Sequence, residues 1–270
     1  MNPLHAVLLG IVEGLTEYLP VSSTGHLILV GHLLGLEGEA AGSFEIVIQL
    51  GAVLAVVAHY HQLLRRHLVG LVKREDASLR LAASILIAFV PVAIVGLVAR
   101  KAIKRLLFGP GPVALALVVG GVMMVVWSLV RRARLPGGGG DTGLEHVTPR
   151  RALIVGLGQC LSLWPGTSRS MCTILAGEAA GLSTATAAEF SFLVALPTLG
   201  AATVYELYKS WATLAASVSA SSVAIGLVVS FVVAWAVIAA FLRYLTRFGL
   251  APFGVYRVIA GAMVFWFLMR

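Results

Sequence analysis

Residues 10–26 read GIVEGLTEYLPVSSTGH, an apolar stretch that Pro20 and the hydroxyl residues 22–24 interrupt. Two carboxylates, Glu13 and Glu17, make it too polar to cross a bilayer as one simple helix, and proline breaks a helix. Non-helical backbone at membrane depth is tolerated only where protein buries it or water reaches it. The stretch therefore predicts a re-entrant hairpin, in which a helix, a break and a second helix follow one another.

A second stretch, residues 156–170, reads GLGQCLSLWPGTSRS and resembles the first. The matched residues are Glu13 with Gln159, Thr16 with Ser162, Pro20 with Pro165, Ser22 with Thr167, Ser23 with Ser168 and, farther on, Glu45 with Glu189. In this alignment Arg169 stands opposite Thr24. The pairs keep spacings of 144 to 146 residues, which predicts an internal repeat with a second re-entrant hairpin at 152–181.

The composition predicts a membrane protein: 59% of the residues are hydrophobic and 12% are charged, whereas a soluble domain carries about 25% charged residues. Six apolar stretches approach the roughly 20 residues of a spanning helix. They are 44–59, 81–99, 113–130, 190–207, 223–242 and 252–269. The predicted fold is an all-α polytopic membrane protein with six transmembrane helices, two re-entrant hairpins and an inverted internal repeat.

The glycine-rich residues 135–148 divide the chain into two halves and predict a linker. The first repeat, 1–134, and the second, 149–270, would each contain one hairpin and three spans. Because three spans is an odd number, the second copy would enter the membrane with inverted topology.

The distribution of charge favours a membrane over a nucleic acid as the surface that the protein meets. The net charge is +8, but the basic residues lie in the gaps between apolar spans and form no continuous basic face. Placing 64–80, 131–151 and 243–247 in the cytoplasm puts 12 Lys and Arg inside and 6 outside. This bias predicts that both termini lie outside and that the inner loops meet anionic lipid.

The two carboxylates of the first hairpin lie four residues apart, so Glu13 and Glu17 share one helix face. At low dielectric the two negative charges repel, and the pair needs a proton or a cation between its members. A hard divalent cation such as Mg²⁺ or Ca²⁺, which prefers oxygen ligands, fits this pair. The alternative is a structural pair that hydroxyls and backbone satisfy.

The hydroxyls Ser22, Ser23 and Thr24 precede a second half-helix. They either cap that helix or bind phosphate at its N-terminus. His26 follows directly and is a candidate general acid, general base or nucleophile, although an isolated histidine can also be structural.

The second break offers Arg169 among the hydroxyls of Thr167, Ser168 and Ser170. A guanidinium fork binds two phosphate oxygens at once. Alternatively, Arg169 serves as an ion-pair partner of Glu13, Glu17 or Glu189, and both roles can coexist.

These groups together indicate phosphoryl transfer on a lipid phosphate that reaches the site from the membrane. The class that we favour is a hydrolase. A transporter or flippase of a polyprenyl phosphate lipid is the alternative, because broken helices in inverted repeats are also a transporter architecture. The nucleophiles and the histidine in one break favour chemistry over transport.

The motifs resemble the undecaprenyl-diphosphate phosphatases of the bacitracin-resistance type over essentially the whole chain. The stretches that carry the resemblance are residues 13–26, residues 44–45 with 49–51, residues 159–170 and residues 188–193. The chain departs from the family's pattern after Ser170, where Met171 stands in place of the usual glycine.

The resemblance implies hydrolysis of undecaprenyl diphosphate to the monophosphate carrier of cell-wall synthesis, with a divalent cation. It implies that Glu13 and Glu17 are the acidic pair and metal ligands, and that Ser22 and Ser23 are active-site hydroxyls. His26 would be catalytic and Arg169 would bind phosphate, while the choice between Ser23 and His26 as nucleophile stays open. The expected setting is a bacterial inner membrane with the site open to the periplasm, and a homodimer is compatible with the sequence.

Overall fold

The computed structural model describes residues 2–36, 38–107, 109–134 and 139–268, and this part of the chain is built from helices without a strand. The α-helices are α1 (Pro3–Thr16), α2 (Ser23–Leu33), α3 (Glu39–His59), α4 (His61–Val72), α5 (Asp76–Leu106), α6 (Pro110–Arg134), α7 (Pro149–Gln159), α8 (Arg169–Ala179), α9 (Thr184–Ser217), α10 (Ala220–Phe248) and α11 (Ala251–Leu268). The predicted all-α fold is confirmed.

Five of the described helices, α3, α5, α6, α9 and α10, are long and apolar enough to cross a membrane. This confirms a polytopic membrane protein. The sixth predicted span, 252–269, corresponds to α11, which is apolar but has only 18 residues. The count of six crossings and the re-entrant path of the hairpins stay predictions, as does the division into two repeats.

Two segments that the sequence predicted as loops contain ordered structure. Helix α4 overlaps the first half of the predicted loop 64–80 and exposes Leu68, Val69 and Val72 beside basic residues, which is typical of a helix on a membrane surface. Residues 135–138 of the predicted linker lie outside the described residues. The rest of the linker is tied to the α8–α9 connection, where the Asp141 amide donates to the Gly181 carbonyl over 3.0 Å.

The two breaks have the same backbone conformation at the residue that caps each half-helix. Ser22 precedes α2 with φ 74°, and Ser168 precedes α8 with φ 75°. Each serine accepts a hydrogen bond from the amide three residues later, that of Gly25 or that of Met171. A positive φ is uncommon for serine, so its presence at both caps marks them as equivalent positions.

This equivalence corrects the predicted register of the repeat by one residue. Ser22 corresponds to Ser168 rather than to Thr167, and Ser23 corresponds to Arg169, which the alignment had placed opposite Thr24. The prolines caused the error, because Pro20 stands two residues before its cap and Pro165 stands three before its own. The strained cap, not the proline, fixes where each half-helix begins.

The first helix of each half packs on a helix of the other half, an arrangement that we call exchanged packing. Helix α1 packs on α10 of the second half, and α7 packs on α5 of the first. Both contacts need glycine. A Cβ on Gly10 of α1 would lie 2.9 Å from the Gly226 carbonyl, and one on Gly156 of α7 would lie 2.7 Å from the Ala88 carbonyl. In addition, α3 packs on α9 and α6 on α11. Two halves related by a two-fold axis would give this pattern.

We expect the exchanged packing to reflect inverted topology, which membrane-impermeant maleimide labelling can test. In a Cys160→Ala, Cys172→Ala background, Glu75→Cys and Thr142→Cys should be protected in intact spheroplasts and become labelled after lysis. Ser217→Cys, in the last turn of α9, should be labelled in intact spheroplasts. Labelling of Glu75→Cys and Thr142→Cys from opposite sides would contradict the inversion.

Candidate active site

The N-termini of the half-helices α2 and α8 meet at one buried carboxylate, that of Glu17. The Ser23 hydroxyl donates to Glu17 Oε2 over 2.5 Å, and Arg169 Nη2 donates to Glu17 Oε1 over 2.9 Å. The side chains of Glu17 and Arg169 are 4% and 8% exposed. Ser23 and Arg169 are both the first residue of their half-helices. The structure thus brings together one residue from each break on a carboxylate that the first break supplies.

Glu13 lies one turn earlier on α1 and is fully buried, and among the described residues no hydroxyl or N–H group donates a hydrogen bond to its carboxylate oxygens. The carboxylates of Glu17 and Glu45 are its acidic neighbours. An unpaired buried charge is costly, and a second negative charge nearby increases the cost. The pair therefore needs a proton or a cation. The structural alternative, in which hydroxyls and backbone satisfy Glu13, does not agree with its lack of partners.

The described residues contain no group of three or more His, Cys, Asp and Glu side chains arranged to hold a metal ion. Mg²⁺ is commonly bound by one or two carboxylates with waters and substrate phosphates in the other positions. Glu13, whose oxygens accept from no hydroxyl or N–H group of the described residues, and Glu17 beside it fit that kind of site.

Arg169 is oriented by residues of α8 and α9 as well as by Glu17. Its Nη1 donates to the carbonyl and the hydroxyl of Ser191, each over 3.2 Å. The Ser191 hydroxyl lies 2.6 Å from that of Thr173, and the guanidinium carbon lies 5.6 Å from the centre of the Tyr18 ring. The Nε of Arg169 is buried and donates to no residue that the structure describes. The guanidinium is therefore fixed in place and still has an N–H group available to a ligand.

The remaining hydroxyls of the breaks mostly hold backbone. Ser22 and Ser168 cap their helices, and Ser170 donates to the Leu19 carbonyl of the other break over 3.0 Å. The Thr167 hydroxyl is buried and has no hydrogen-bond partner in the part of the chain that the structure describes, so it is available to a ligand. Thr24 is half-buried.

His26 has different neighbours from the Glu17 cluster. Its Nδ1 lies 2.7 Å from the Ser22 carbonyl, and its Nε2 lies 2.6 Å from the Tyr256 hydroxyl. Because a carbonyl only accepts, Nδ1 carries the proton, and in the neutral ring Nε2 accepts from Tyr256. Within the described residues, these hydrogen bonds connect His26 to its own cap and to α11 rather than to Glu17 or Ser23.

Several residues at the site were not expected from the sequence. Ser191 and Thr173 are uncharged residues on helices, and only their position in the fold brings them to Arg169. Tyr256 and Arg257 lie inside the last apolar stretch, where the isolated charge of Arg257 is the one visible signal.

The chain is similar to known proteins over almost its whole length. The family model described as bacitracin resistance protein BacA matches residues 6–263. The undecaprenyl-diphosphatase of Sorangium cellulosum (strain So ce56) is 58% identical over 262 residues, which are 97% of this chain and 85% of the relative. That of Rhizorhabdus wittichii RW1 is 46% identical over 100% of this chain and 99% of the relative. That of Albidiferax ferrireducens T118 is 45% identical over 97% and 93%.

Substitution of the two glutamates by glutamine should change the stability of the protein in different ways. Glu17→Gln should lower the midpoint of thermal unfolding, because breaking a buried ion pair costs about 3–5 kcal/mol. Glu13→Gln should leave the midpoint unchanged or raise it, because its oxygens lose no hydrogen bond and the repulsion disappears. The measurement is thermal unfolding of purified protein in detergent with a chelator. A larger loss in Glu13→Gln than in Glu17→Gln would contradict this view of the pair.

Proposed function

The chain belongs to the family of the bacitracin resistance protein BacA, and we propose that it is an undecaprenyl-diphosphatase. Such an enzyme hydrolyses undecaprenyl diphosphate to undecaprenyl phosphate and inorganic phosphate, and so recycles the lipid carrier of cell-wall synthesis. The three relatives are named for this activity. Their names do not favour the alternative of a transporter or flippase.

The proposal for the site rests on the carboxylate of Glu17, to which both Ser23 and Arg169 donate hydrogen bonds. A carboxylate in hydrogen-bond contact with a serine hydroxyl is the arrangement of a general base and its nucleophile. A guanidinium on the other side of the same carboxylate offers an anion-binding group within the same small volume. A transporter site that only bound and released a lipid phosphate would need the anion-binding guanidinium. It would not need a carboxylate in contact with a serine hydroxyl.

In the proposed reaction Glu17 takes the proton of Ser23, and the serine oxygen attacks the terminal phosphorus of the diphosphate. The bond from that phosphorus to the bridging oxygen breaks, and undecaprenyl phosphate leaves with that oxygen. Water then attacks the phosphoserine, the bond from phosphorus to the serine oxygen breaks, and Glu17 returns its proton to that oxygen, which restores the Ser23 hydroxyl and leaves the atoms of the water on inorganic phosphate. The N-termini of α2 and α8 would add partial positive charge toward the phosphates.

Arg169 would connect the arrival of substrate to activation of the serine. Without substrate, its guanidinium neutralises Glu17 and weakens Glu17 as a base. A diphosphate that binds the free Nε of Arg169 would compete with Glu17 for the positive charge. Glu17 would then hold the Ser23 proton more strongly. The hydroxyls of Thr167 and the other break residues would bind further phosphate oxygens.

Glu13 and Glu17 would together hold a divalent cation, Mg²⁺ or Ca²⁺, beside the phosphates. When bound, the cation would offset the negative charge that the diphosphate and the carboxylates share. Glu13 would contribute its two oxygens, to which no hydroxyl or N–H group of the described residues donates. His26 would stay in place through Ser22 and Tyr256, and its direct participation stays a prediction from the resemblance.

The proposed setting is the bacterial inner membrane, with the site open to the periplasmic side. The polyprenyl tail would then lie among membrane lipids while the diphosphate reached the two breaks. Association into a homodimer stays a prediction.

Phosphate release from undecaprenyl diphosphate by the purified protein in detergent micelles tests the proposal. We expect release by the wild type and a loss of about 10³-fold or more in kcat for Ser23→Ala, because the nucleophile is removed. His26→Ala should retain more activity than Ser23→Ala. Substrate labelled in its terminal phosphate, quenched with acid during turnover, should leave an acid-stable label on Ser23.

Absence of phosphate release would reject the proposed function. A label on His26 that survives an alkaline quench but not an acid quench, with Ser23→Ala still active, would identify His26 as the nucleophile and leave the function intact.

The response to divalent cation should depend on Glu13. Glu13→Gln should raise the Mg²⁺ concentration needed for half-maximal activity by about tenfold or more, because an amide oxygen is a weaker ligand for a hard cation than a carboxylate. It should also abolish any thermal stabilisation by Mg²⁺ or Ca²⁺ measured without substrate. Glu145→Gln makes the same chemical change at a side chain that is 74% exposed and should behave as wild type. Equal cation responses in all three proteins would show that Glu13 holds no metal.

A further inference from the structure

Arg257 is the largest side chain that the described residues bury completely. It lies on α11 inside an apolar helix, and among the described residues it forms no ion pair. A buried charge without a counter-charge is expensive unless its hydrogen bonds are fully used. The proposed reaction gives Arg257 no role, so its presence at this buried position has another physical reason.

The guanidinium donates to five backbone carbonyls from three segments. In the first break it reaches Pro20 over 3.2 Å. In the second break it reaches Gly166 over 2.7 Å and Thr167 over 2.8 Å. On α6 it reaches Ala116 over 3.0 Å and Leu117 over 3.4 Å.

Carbonyls at a helix break have no partner within a helix, and inside an apolar bundle they have no water to replace it. Arg257 supplies donors to carbonyls of both breaks. A single nitrogen, Nη1, binds the carbonyls of Pro20 and Thr167. One atom of α11 therefore joins the first break directly to the second.

The joined carbonyls stand just before the two residues that meet on Glu17. Pro20 precedes Ser23 by three residues, and Thr167 precedes Arg169 by two. The neighbouring residue on α11, Tyr256, holds His26 in addition. Helix α11 thus holds the backbone that precedes Ser23 and Arg169, and it also holds the side chain of His26.

We propose that Arg257 is a positioning residue that sets the two half-helix N-termini at the separation at which Ser23 and Arg169 meet on Glu17. This inference rests on the proposed function for its kinetic consequence but not for its structural one. Arg257 acts through backbone carbonyls and touches no phosphate. The guanidinium of Arg257 carries five N–H donors in one plane, and a lysine ammonium with three donors does not reproduce them.

The surroundings of Arg257 offer a second way to disturb it. Gly120 of α6 makes room for the guanidinium, and a Cβ there would lie 2.4 Å from Arg257 Nη2. Gly120→Ala therefore displaces the guanidinium while the arginine stays in the chain. Gly111, on the same helix, has no atom within 4 Å of an added Cβ, so Gly111→Ala is the matched control.

The structural test is hydrogen exchange of backbone amides, measured by mass spectrometry on intact protein in detergent. Arg257→Lys and Gly120→Ala should each speed exchange at least tenfold in peptides from both breaks, 19–25 and 164–171. Arg131→Lys is the control for loss of a guanidinium that is held elsewhere, because Arg131 pairs with Glu178 at 2.9 Å and, within the described residues, bonds to neither break. It should leave exchange at both breaks unchanged. An effect confined to one break, or none, would overturn the proposal.

The kinetic test uses kcat/KM per folded molecule for phosphate release. Arg257→Lys, Arg257→Ala and Gly120→Ala should each lower it by tenfold or more, while Gly111→Ala and Arg131→Lys stay within threefold of wild type. Adding Arg169→Lys to Arg257→Lys should cost less than the product of the two single losses, because Arg257 acts through the placement of Arg169.

Wild-type kinetics in Arg257→Lys would show that only the charge matters, and losses that multiply would show that Arg257 acts independently; either result would overturn the proposal. If Arg257→Ala does not fold, Arg257→Lys and Gly120→Ala decide. If the wild type releases no phosphate, the function fails, and the exchange experiment still decides whether Arg257 joins the breaks.

Discussion

Backbone that leaves a helix inside an apolar bundle carries N–H and C=O groups that only the protein can satisfy. Two such breaks face one another here, and everything at the site depends on how their polar groups are paired. Ser22 and Ser168 accept from the amides of the half-helices that they cap, and the guanidinium of Arg257 donates to carbonyls on both sides. The side chains that meet on Glu17 extend from the backbone that these hydrogen bonds hold.

The two breaks have the same cap but different side chains around it. With the caps as reference, Glu13 corresponds to Gln159, Glu17 to Leu163, and Ser23 to Arg169. The first half therefore contributes carboxylates and a hydroxyl, and the second contributes a cation. Four carboxylates around a diphosphate would oppose its binding by charge repulsion. The division gives one site with groups of both signs, built from two similar backbones.

The sequence allowed prediction of the helical class, of both breaks and of the residues that meet on Glu17, because proline, hydroxyls and charges are conspicuous in apolar surroundings. It did not allow the register of the repeat to be found, since the positive φ of Ser22 and Ser168 leaves no mark in the residue type. It also could not predict Ser191 beside Arg169, or Arg257 between the breaks. Those contacts join residues 22 and 237 positions apart, and only the packing of the helices decides them.

The second half also shows what the fold requires at the position of Glu17. A buried ion pair is weak evidence for stability, because apolar residues of similar size often hold a core as well. At the equivalent position the second half has Leu163, half-buried at the end of a short 3-10 turn. The second half-helix thus begins with the same serine cap without a carboxylate at that position. The serine cap is therefore common to both breaks, whereas a carboxylate at this position occurs in the first break alone, which agrees with the proposed role of Glu17 as the base for Ser23.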